Sequence, residues 1–289
     1  MISGVDNDSI VYLNGEYLRL VEAKVSVLDR GFVFGDGVYE VVPIYNGVPF
    51  RMHLHMARLQ RSLQAVRINV EYTEAQWQEL IAGVLARANE PHANLMVYLQ
   101  VTRGVAKRDH AFPATAEPTV FCMVSPFSRP GPAQREKGLS AISIPDTRWL
   151  LCHIKSVSLL GNVLARQAAV DAGVDEVLQF RDGYLTEGSA CNIWVVKNGV
   201  LMAPEANHLI LEGIRYRFLA ELAHNAGVLF QARSVTAEEV DAADELMLSS
   251  ATKEVLPIVR YNGNPVGTGK PGPIYASLRA SYDRVIKSL

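Results

Sequence analysis

Four Asn-Gly dipeptides constrain the fold of this chain more than any other feature. They occur at Asn14-Gly15, Asn46-Gly47, Asn198-Gly199 and Asn262-Gly263, and the first has apolar residues on both sides. Asn-Gly is the preferred pair for the two-residue type I′ turn, which joins neighbouring antiparallel strands. The sequence therefore predicts several antiparallel hairpins and argues against a purely parallel, doubly wound sheet.

Helical patterns lie between these hairpins. Residues 52–66 place Met56, Leu59 and Leu63 on one helical face. Thr73-Glu-Ala-Gln76 has the spacing of a capping box, which opens a second helix. Further helices are predicted after Ser158, over 214–226, after the capping pattern at Thr236 and over 274–286. Strands are predicted over 94–102, 119–124, 139–144, 176–180, 192–196 and 245–248.

A short proline-rich stretch divides the chain. Residues 125–132 contain three prolines and a glycine, which is typical of a linker. We therefore predict an α+β chain with a smaller N-terminal α/β domain over 1–124, an interdomain linker over 125–132 and a larger C-terminal domain over 133–289.

Composition excludes several classes of protein. The chain has 289 residues, 49% of them hydrophobic and 20% charged, and a net charge of -2. Without a basic tract it offers no electrostatic basis for binding nucleic acid or a membrane surface. No secretory signal and no membrane-spanning run is predicted. The three cysteines are scattered and form no CxxC pair, so we predict no metal site and expect a cytoplasmic protein.

Lys155 is the first candidate for chemistry. It follows an apolar segment that begins at Trp149. A lysine amine can attack an aldehyde and form a Schiff base. Taken alone, the segment favours the simpler interpretation that Lys155 extends its ammonium group to solvent.

Other motifs are equally weak when each is taken alone. Glu187 follows the Asp182-Gly183 turn at a strand-to-loop boundary, where a solvated turn residue is the simpler interpretation. Gly213 precedes a helix whose first N–H groups could bind an anion. Ser250 ends a strand and offers a hydroxyl, and Arg108-Asp109-His110 has the composition of a charged surface loop.

Six motifs, taken in order, carry a resemblance. They are Phe34-Gly-Asp-Gly-Val-Tyr-Glu40, His55-Met-Ala-Arg-Leu59, Ile154-Lys-Ser156, Thr186-Glu-Gly188, Gly213-Ile214 and the segment that ends in Glu254-Val-Leu-Pro257. With this order and spacing the chain resembles the fold-type IV pyridoxal-phosphate enzymes. That family includes D-amino acid transaminases, branched-chain aminotransferases and aminodeoxychorismate lyases. The resemblance covers nearly the whole chain and implies the two-domain α+β fold of this family.

Within the family, the chain is most similar to the D-amino acid transaminases. The support is Val101-Thr-Arg-Gly104, Arg108-Asp-His110-Ala-Phe-Pro113 and the segment from Asp146 to Lys155. In that group an Arg-x-His pair from the neighbouring subunit binds the substrate carboxylate, and Arg108 and His110 match it. The resemblance thus implies a homodimer with an active site shared across subunits. It also implies ping-pong transamination between D-amino acids, such as D-alanine and D-glutamate, and 2-oxo acids.

The resemblance also implies roles for single residues. Lys155 would form the Schiff base with pyridoxal 5′-phosphate and move the α-proton, while Glu187 would face the pyridine nitrogen. Tyr39 would hydrogen-bond near the substrate carboxylate or the lysine, and Trp149 would form a wall of the pocket. The full cofactor-binding set implied is Lys155, Arg58, Glu187, Leu211, Gly213, Ile214, Arg215, Ser250 and Ala251, with Arg58 on the phosphate.

Two positions depart from the family pattern. Arg215 stands where a threonine usually follows Gly-Ile, and Ala251 stands in place of a second phosphate-binding threonine. We hypothesise that Arg215 turns toward the phosphate and replaces the lost hydroxyls by a charge-assisted contact. The equally weighted alternative is that Arg215 is a surface residue of the first helical turn.

Three other functions remain open at this point. An aminodeoxychorismate lyase shares the fold, but the pair Arg108 and His110 argues against it. A transaminase for branched-chain L-amino acids or for (R)-amines is a second alternative, because residue identities do not fix the stereochemistry. A non-enzymatic protein that retains the fold is a third, although the presence of both Lys155 and Glu187 counts against it.

Overall fold

A computed structural model describes residues 6–88 and 94–289, which form two compact units. Unit 1 comprises the described residues up to Phe127 together with Ile154–Leu159, and unit 2 comprises Ser128–His153 and Leu160–Leu289. The sequence division assigned 154–159 to the C-terminal domain. The structure instead packs this segment in unit 1, because Ile154 belongs to the apolar core of that unit and Ser156 pairs with Val38.

Unit 1 contains a six-stranded antiparallel sheet with the order β2-β1-β6-β5-β3-β4. Its strands are β1 (Ile10–Leu13), β2 (Glu16–Arg19), β3 (Gly37–Tyr45), β4 (Val48–Pro49), β5 (Asn94–Thr102) and β6 (Thr119–Pro126). Alternate residues of β3, among them Val38, Val42 and Ile44, lie in the core, as the two-residue period of a strand requires.

The described part of unit 1 also has a short 3₁₀ helix (Leu20–Glu22) and three α-helices: α1 (Arg30–Phe34), α2 (Met52–Ala65) and α3 (Glu74–Arg87). Thr73 and Gln76 form the predicted capping box at the start of α3. The buried residues of α2 and α3, among them Leu59, Leu63 and Ile81, pack into the same core. The first motif of the resemblance begins at the end of α1, where the capping residue Gly35 adopts the left-handed conformation.

Unit 2 contains a nine-stranded mixed sheet with the order β12-β11-β10-β13-β14-β7-β8-β9, and β15 also pairs with β14. Its strands are β7 (Leu139–Pro145), β8 (Glu176–Arg181), β9 (Tyr184–Leu185), β10 (Asn192–Lys197), β11 (Val200–Ala203), β12 (Phe230–Ala232), β13 (Glu245–Ser250), β14 (Glu254–Tyr261) and β15 (Asn264–Pro265). Three of its strand pairs are parallel and the others are antiparallel.

Unit 2 also carries α4 (Pro132–Lys137), α5 (Leu160–Asp171), α6 (Ile214–Asn225), α7 (Ala237–Asp241) and α8 (Pro273–Lys287). On α8, buried residues recur at helical spacing from Tyr275 through Leu278 and Tyr282 to Ile286. The capping box predicted at Thr236 opens α7. Across residues 6–88 and 94–289, no helix is long and apolar enough to cross a membrane.

The predicted hairpins are confirmed. At Asn14, Asn46, Asn198 and Asn262 the backbone φ lies between 48° and 51°, and the glycine that follows each also has a positive φ. These are the angles of type I′ turns, and each turn joins two antiparallel strands. The mixed sheet of unit 2 and the antiparallel sheet of unit 1 establish the α+β class.

Candidate active site

In unit 1, the half-buried Lys155 lies against strand β3. Its carbonyl accepts a hydrogen bond from the Tyr39 N–H at 3.0 Å, and its own N–H donates to Ser62 Oγ at 3.2 Å. The Lys155 Nζ is 4.1 Å from the centroid of the Tyr39 ring. The strand thus fixes the backbone of the lysine and places its amine over an aromatic face, where a cation is attracted.

A buried ion cluster occupies the opposite face of β3. Glu40 is fully buried and accepts hydrogen bonds from Arg58 Nε at 2.7 Å, Arg58 Nη2 at 2.8 Å and His55 Nδ1 at 2.7 Å. Burial alone would raise the pKa of Glu40, but the neighbouring Arg58 and His55 lower it by a larger amount. The pKa of Glu40 therefore lies below the ordinary value. Glu40 therefore holds the Arg58 guanidinium in one orientation.

The loop that carries Arg108 and His110 is anchored by a neighbouring arginine. Arg30 Nη1 donates to the carbonyl oxygens of Asp109 at 2.5 Å and Ala111 at 3.3 Å. Both Arg108 and His110 are exposed, and both lie near the ring of Phe34. The distance to the centre of this ring is 5.4 Å from Arg108 Cζ and 5.3 Å from the centre of the His110 ring. The structure thus brings the two residues of the predicted carboxylate trap together on one side of the loop.

In unit 2, Glu187 is buried, with 5% of its surface exposed. Its carboxylate contacts Arg148 Nη1 and accepts hydrogen bonds from the Leu211 N–H at 3.0 Å and the Asn192 side-chain amide at 3.2 Å. Burial raises the pKa of Glu187 above the ordinary value, and the adjacent Arg148 guanidinium opposes that rise. Glu187 is therefore not the solvated turn residue that its position suggested in isolation.

Arg148 is itself held by Asp146. Its Nε and Nη2 atoms donate to the two Asp146 oxygens at 3.0 and 2.9 Å, and the Thr186 hydroxyl donates to the same carboxylate at 2.8 Å. Such bidentate pairs fix the plane of a guanidinium. A continuous chain of contacts thus runs from Asp146 through Arg148 to Glu187.

The start of α6 and the β13–β14 turn carry the predicted phosphate-binding residues. Gly213 caps α6, and its N–H donates to the Asn192 side chain at 3.2 Å. A side chain at Gly213 would clash, since a Cβ there would lie 2.4 Å from the Asn192 Oδ1. Ser250 Oγ accepts from the Lys253 N–H at 3.0 Å, which closes the turn after β13.

Arg215 is buried, with 2% of its surface exposed, so the alternative of a surface residue is wrong. Its Nη2 lies 3.5 Å from the Ala251 carbonyl oxygen, and its Cζ is 5.7 Å from the Tyr282 ring centre. Arg215 on α6 thus reaches Ala251 on the β13–β14 turn. These are the two positions that depart from the family pattern.

Trp149 is 45% exposed, next to the exposed Leu150 and Leu151. Its predicted role as a pocket wall stays a prediction.

Sequence reasoning missed the residues that orient the others. Glu40, Arg148 and Asn192 lie within sequence motifs to which no orienting role could be assigned, and nothing in the sequence singled out Arg30. The available signal was the position of an ionisable residue within an apolar strand, as at Glu40 in β3, because such a residue is seldom buried without a partner. In the described parts of the chain, no His, Cys, Asp and Glu side chains cluster in a way that could hold a metal ion.

Comparison with protein families gives one match over most of the chain. Residues 37–261 match the model of the family described as Amino-transferase class IV. Two relatives are the D-alanine aminotransferases of Staphylococcus aureus (strain MSSA476) and Bacillus licheniformis. Both are 37% identical to this chain over 96% of its length, covering 98% and 97% of the relatives, respectively.

Solved structures agree in fold. The branched-chain amino acid aminotransferase of Escherichia coli superposes with a TM-score of 0.91 at 24% identity, covering 96% of this chain and 95% of that one. The T.th. branched-chain amino acid aminotransferase, solved with N-(5′-phosphopyridoxyl)-L-glutamate, has a TM-score of 0.89 at 25% identity, covering 97% and 95%.

Proposed function

Because this chain belongs to the class IV aminotransferases, we propose that it transfers amino groups between D-amino acids and 2-oxo acids with pyridoxal 5′-phosphate as cofactor. The substrate class is supported by the two D-alanine aminotransferases, which are 37% identical over nearly the full length. The cofactor is supported by two structures of the T.th. enzyme, which contain a phosphopyridoxyl adduct and pyridoxamine 5′-phosphate.

The observation that carries the proposal is the buried Glu187 with three donors around its carboxylate. A buried ion pair is often no more stabilising than well-packed apolar residues of similar volume, so stability alone gives no reason to keep Glu187 and Arg148 there. When bound, the cofactor supplies an aldehyde that bonds an amine and a pyridine ring that takes up electrons from the substrate. Glu187, held in place by Arg148, would face the ring nitrogen and keep a proton on it.

The residues present fit the other parts of the cofactor. The first N–H groups of α6 have no acceptor within their own helix, so the backbone at Ile214 suits a phosphate. In unit 2, Gly213 leaves the start of α6 without a side chain, while Ser250 and the positive charge of Arg215 complete a set of donors. The resemblance also assigns Arg58 of unit 1 to the phosphate. Leu211 and Ala251 would contribute backbone contacts.

Lys155 supplies the amine that would hold the aldehyde end of the cofactor, and the same amine would move the proton of the substrate α-carbon. Its backbone is held by the hydrogen bond from Tyr39, which restricts the region that the amine can reach. The Tyr39 ring centre lies 4.1 Å from Nζ and packs against the end of the lysine side chain. We assign Tyr39 the role of orienting the lysine.

Substrate selection would rest on Arg108 and His110. A guanidinium binds a carboxylate through two parallel hydrogen bonds, and the imidazole adds another donor. Because both residues are exposed on this chain, they are available to a substrate bound by a partner subunit.

We also propose that the protein is a homodimer. Unit 2 exposes Leu160, Val163 and Leu164 on one face of α5, at 71%, 59% and 60%. Unit 1 exposes Val27 and Phe32 at 70% and 76%. A cluster of exposed apolar side chains on one helix face, as on α5, is typical of an interface. Sedimentation of the wild type as a dimer and of Leu164→Glu as a monomer is the expected result.

A cytoplasmic location completes the proposal. It is supported by the three cysteines, all of them buried free thiols, which suit a reducing compartment.

The deciding experiment follows cofactor absorbance in half-reactions with paired D- and L-amino acids. We expect D-alanine and D-glutamate to convert the cofactor to its amine form, and 2-oxoglutarate to convert it back. Reduction with borohydride should attach the cofactor to Lys155, detectable in a peptide by mass spectrometry. Pyruvate release from aminodeoxychorismate would favour the lyase, reaction with L-amino acids alone would favour the branched-chain enzyme, and a cofactor that never changes form would contradict transamination.

A further inference from the structure

Asp29 holds both ends of the segment that carries Arg108 and His110. This segment, here called the trap loop, comprises residues 105–118 between β5 and β6. The backbone of Val105, its first residue, pairs with Asp29, and the Asp29 carboxylate accepts a hydrogen bond from the Thr119 hydroxyl at 2.6 Å. Ordering the rest of the loop costs conformational entropy, so contacts along its middle are needed to hold one conformation.

Arg30 holds the backbone in the middle of the trap loop. It is buried, with 4% of its surface exposed, and its Nη1 donates to the carbonyl oxygens of Asp109 and Ala111. The Asp109 carboxylate in turn accepts a hydrogen bond from the Ala111 N–H at 3.1 Å, which closes a local turn. One guanidinium therefore fixes the chain on both sides of His110.

The ring of Phe112 is a second attachment of the trap loop. Arg103 Cζ lies 3.7 Å and Arg67 Cζ 4.8 Å from the centre of this ring, and a guanidinium at such a distance is attracted to an aromatic face. Arg103 is buried and also donates to the carbonyl oxygens of Val66 and Arg67 at 2.7 and 2.9 Å. Phe112 thus attaches the loop to a guanidinium that is itself held at the end of α2.

A single carboxylate, that of Asp36, aligns both of these buried arginines. Its Oδ2 accepts hydrogen bonds from Arg30 Nε at 2.7 Å and from Arg103 Nε at 2.8 Å. Its Oδ1 accepts from Arg103 Nη2 at 2.9 Å, and such a bidentate contact fixes the plane of a guanidinium. Without the negative charge of Asp36, the two like charges would repel each other. The two attachments of the trap loop therefore depend on one residue.

We propose that Asp36 is a positioning residue for substrate capture. Through Arg30 and Arg103 it holds the trap loop in one conformation, so that Arg108 and His110 are in place before a substrate arrives. This inference rests on the proposed function, in which those two residues bind the substrate carboxylate. A site that is ordered in advance avoids the entropy cost of ordering on binding. Loosening the loop should therefore weaken capture of the substrate and leave the rate of the transfer itself unchanged.

Hydrogen exchange of the holoenzyme tests the order of the trap loop without any substrate. The N–H groups of Ala106 and Ala111 donate to the Leu28 carbonyl and the Asp109 carboxylate, so their exchange reports how often the loop opens. Asp36→Asn keeps the size of the side chain and removes its charge. We expect these two amides to exchange about tenfold faster in the variant while the amides of β5 and β6 stay protected.

The charge-matched control is Arg19→Gln, which removes an exposed arginine from its ion pairs in the same unit and should leave exchange in the loop as in the wild type. Phe112→Ala is the second variant, because Phe112 is 46% exposed and its loss leaves the core intact. It should also speed exchange of the loop, and it decides the matter if Asp36→Asn does not fold.

Kinetics then test the link to substrate capture. Asp36→Asn and Phe112→Ala should each raise KM for D-alanine about tenfold, as expected for a lost charge-assisted contact, with kcat unchanged. In enzyme that already carries Arg108→Ala and His110→Ala, the same replacements should alter kcat/KM by less than about twofold, because the residues that the loop positions are gone.

Two results would overturn the inference. One is unchanged exchange of the trap loop in the folded variants, and the other is an equal fall in kcat/KM with and without Arg108 and His110. Either result leaves the proposed function intact if the wild type transfers amino groups from D-amino acids. A wild type that transfers none refutes the proposed function, and the inference then fails with it even where exchange shows the loop to be held.

Discussion

Replacing Glu40 with glutamine should strongly destabilise unit 1. The carboxylate is fully buried and accepts three hydrogen bonds, two from Arg58 and one from His55. Glutamine keeps one acceptor and turns an NH₂ group toward donors, so the buried Arg58 guanidinium loses the negative charge of Glu40. Removing one partner of a buried pair costs roughly 3–5 kcal/mol, a large part of a total stability of roughly 5–15 kcal/mol.

The assay is urea unfolding of cofactor-free protein, followed by circular dichroism. The matched control is Glu22→Gln, which removes an exposed carboxylate from its ion pair with Arg19 in the same unit and should leave the midpoint unchanged. Removing both charges, as Glu40→Gln with Arg58→Met, should cost less than the sum of the single changes because no uncompensated charge remains. A loss below about 1 kcal/mol for Glu40→Gln, within the range of a single neutral hydrogen bond, would refute the reasoning.

Further outcomes follow from the same structure. The pKa of Glu40 in the folded protein lies below its ordinary value of 4.5. The ion pair therefore stabilises the fold fully above pH 4.5, and this stabilisation is lost as the pH falls from 4.5 through the pKa of the folded state. Glu40→Gln should make the melting temperature depend less on pH in this acid range. Glu187→Gln should lower kcat at least about 100-fold while absorbance shows the cofactor still bound, and unchanged kcat would contradict the assigned role. Arg108→Ala should raise KM for amino acids roughly 10- to 100-fold, as expected for a charge-assisted hydrogen bond, and an equal loss toward amines without a carboxylate would argue against the trap. Thr73→Ala removes the cap of α3 and should cost roughly 0.5–2 kcal/mol in urea unfolding, whereas an unaltered midpoint would mean that the cap is not used.

The sequence predicted those features that a few neighbouring residues determine. Asn46-Gly47 specifies its turn because both residues tolerate a positive φ, and Thr73 with Gln76 specifies the start of α3 because the two satisfy each other's backbone donors. Such signals lie within four residues of one another, so folding of the rest of the chain does not alter them.

Contacts between distant residues could not be predicted in the same way. Glu40 and Arg58 are 18 positions apart, and their pairing depends on α2 packing across β3. Arg215 is buried beside Tyr282 of α8, so its exposure is set by a helix nearly 70 residues later in the sequence. The ordered motifs predicted the site residues, but the residues that hold them in place could be identified only from tertiary packing.

The path of the chain through residues 154–159 bears on how the protein is made. Until the ribosome has passed residue 159, unit 1 lacks Ile154 of its core and the pairing of Ser156 with Val38. By that time the 26 residues 128–153, which belong to unit 2, have also been synthesised. A fragment cut at Phe127 is therefore an unfinished unit that exposes part of its interior. The lysine proposed for chemistry lies in the very segment that completes it, so the nascent chain closes its first folding unit and places Lys155 in one step.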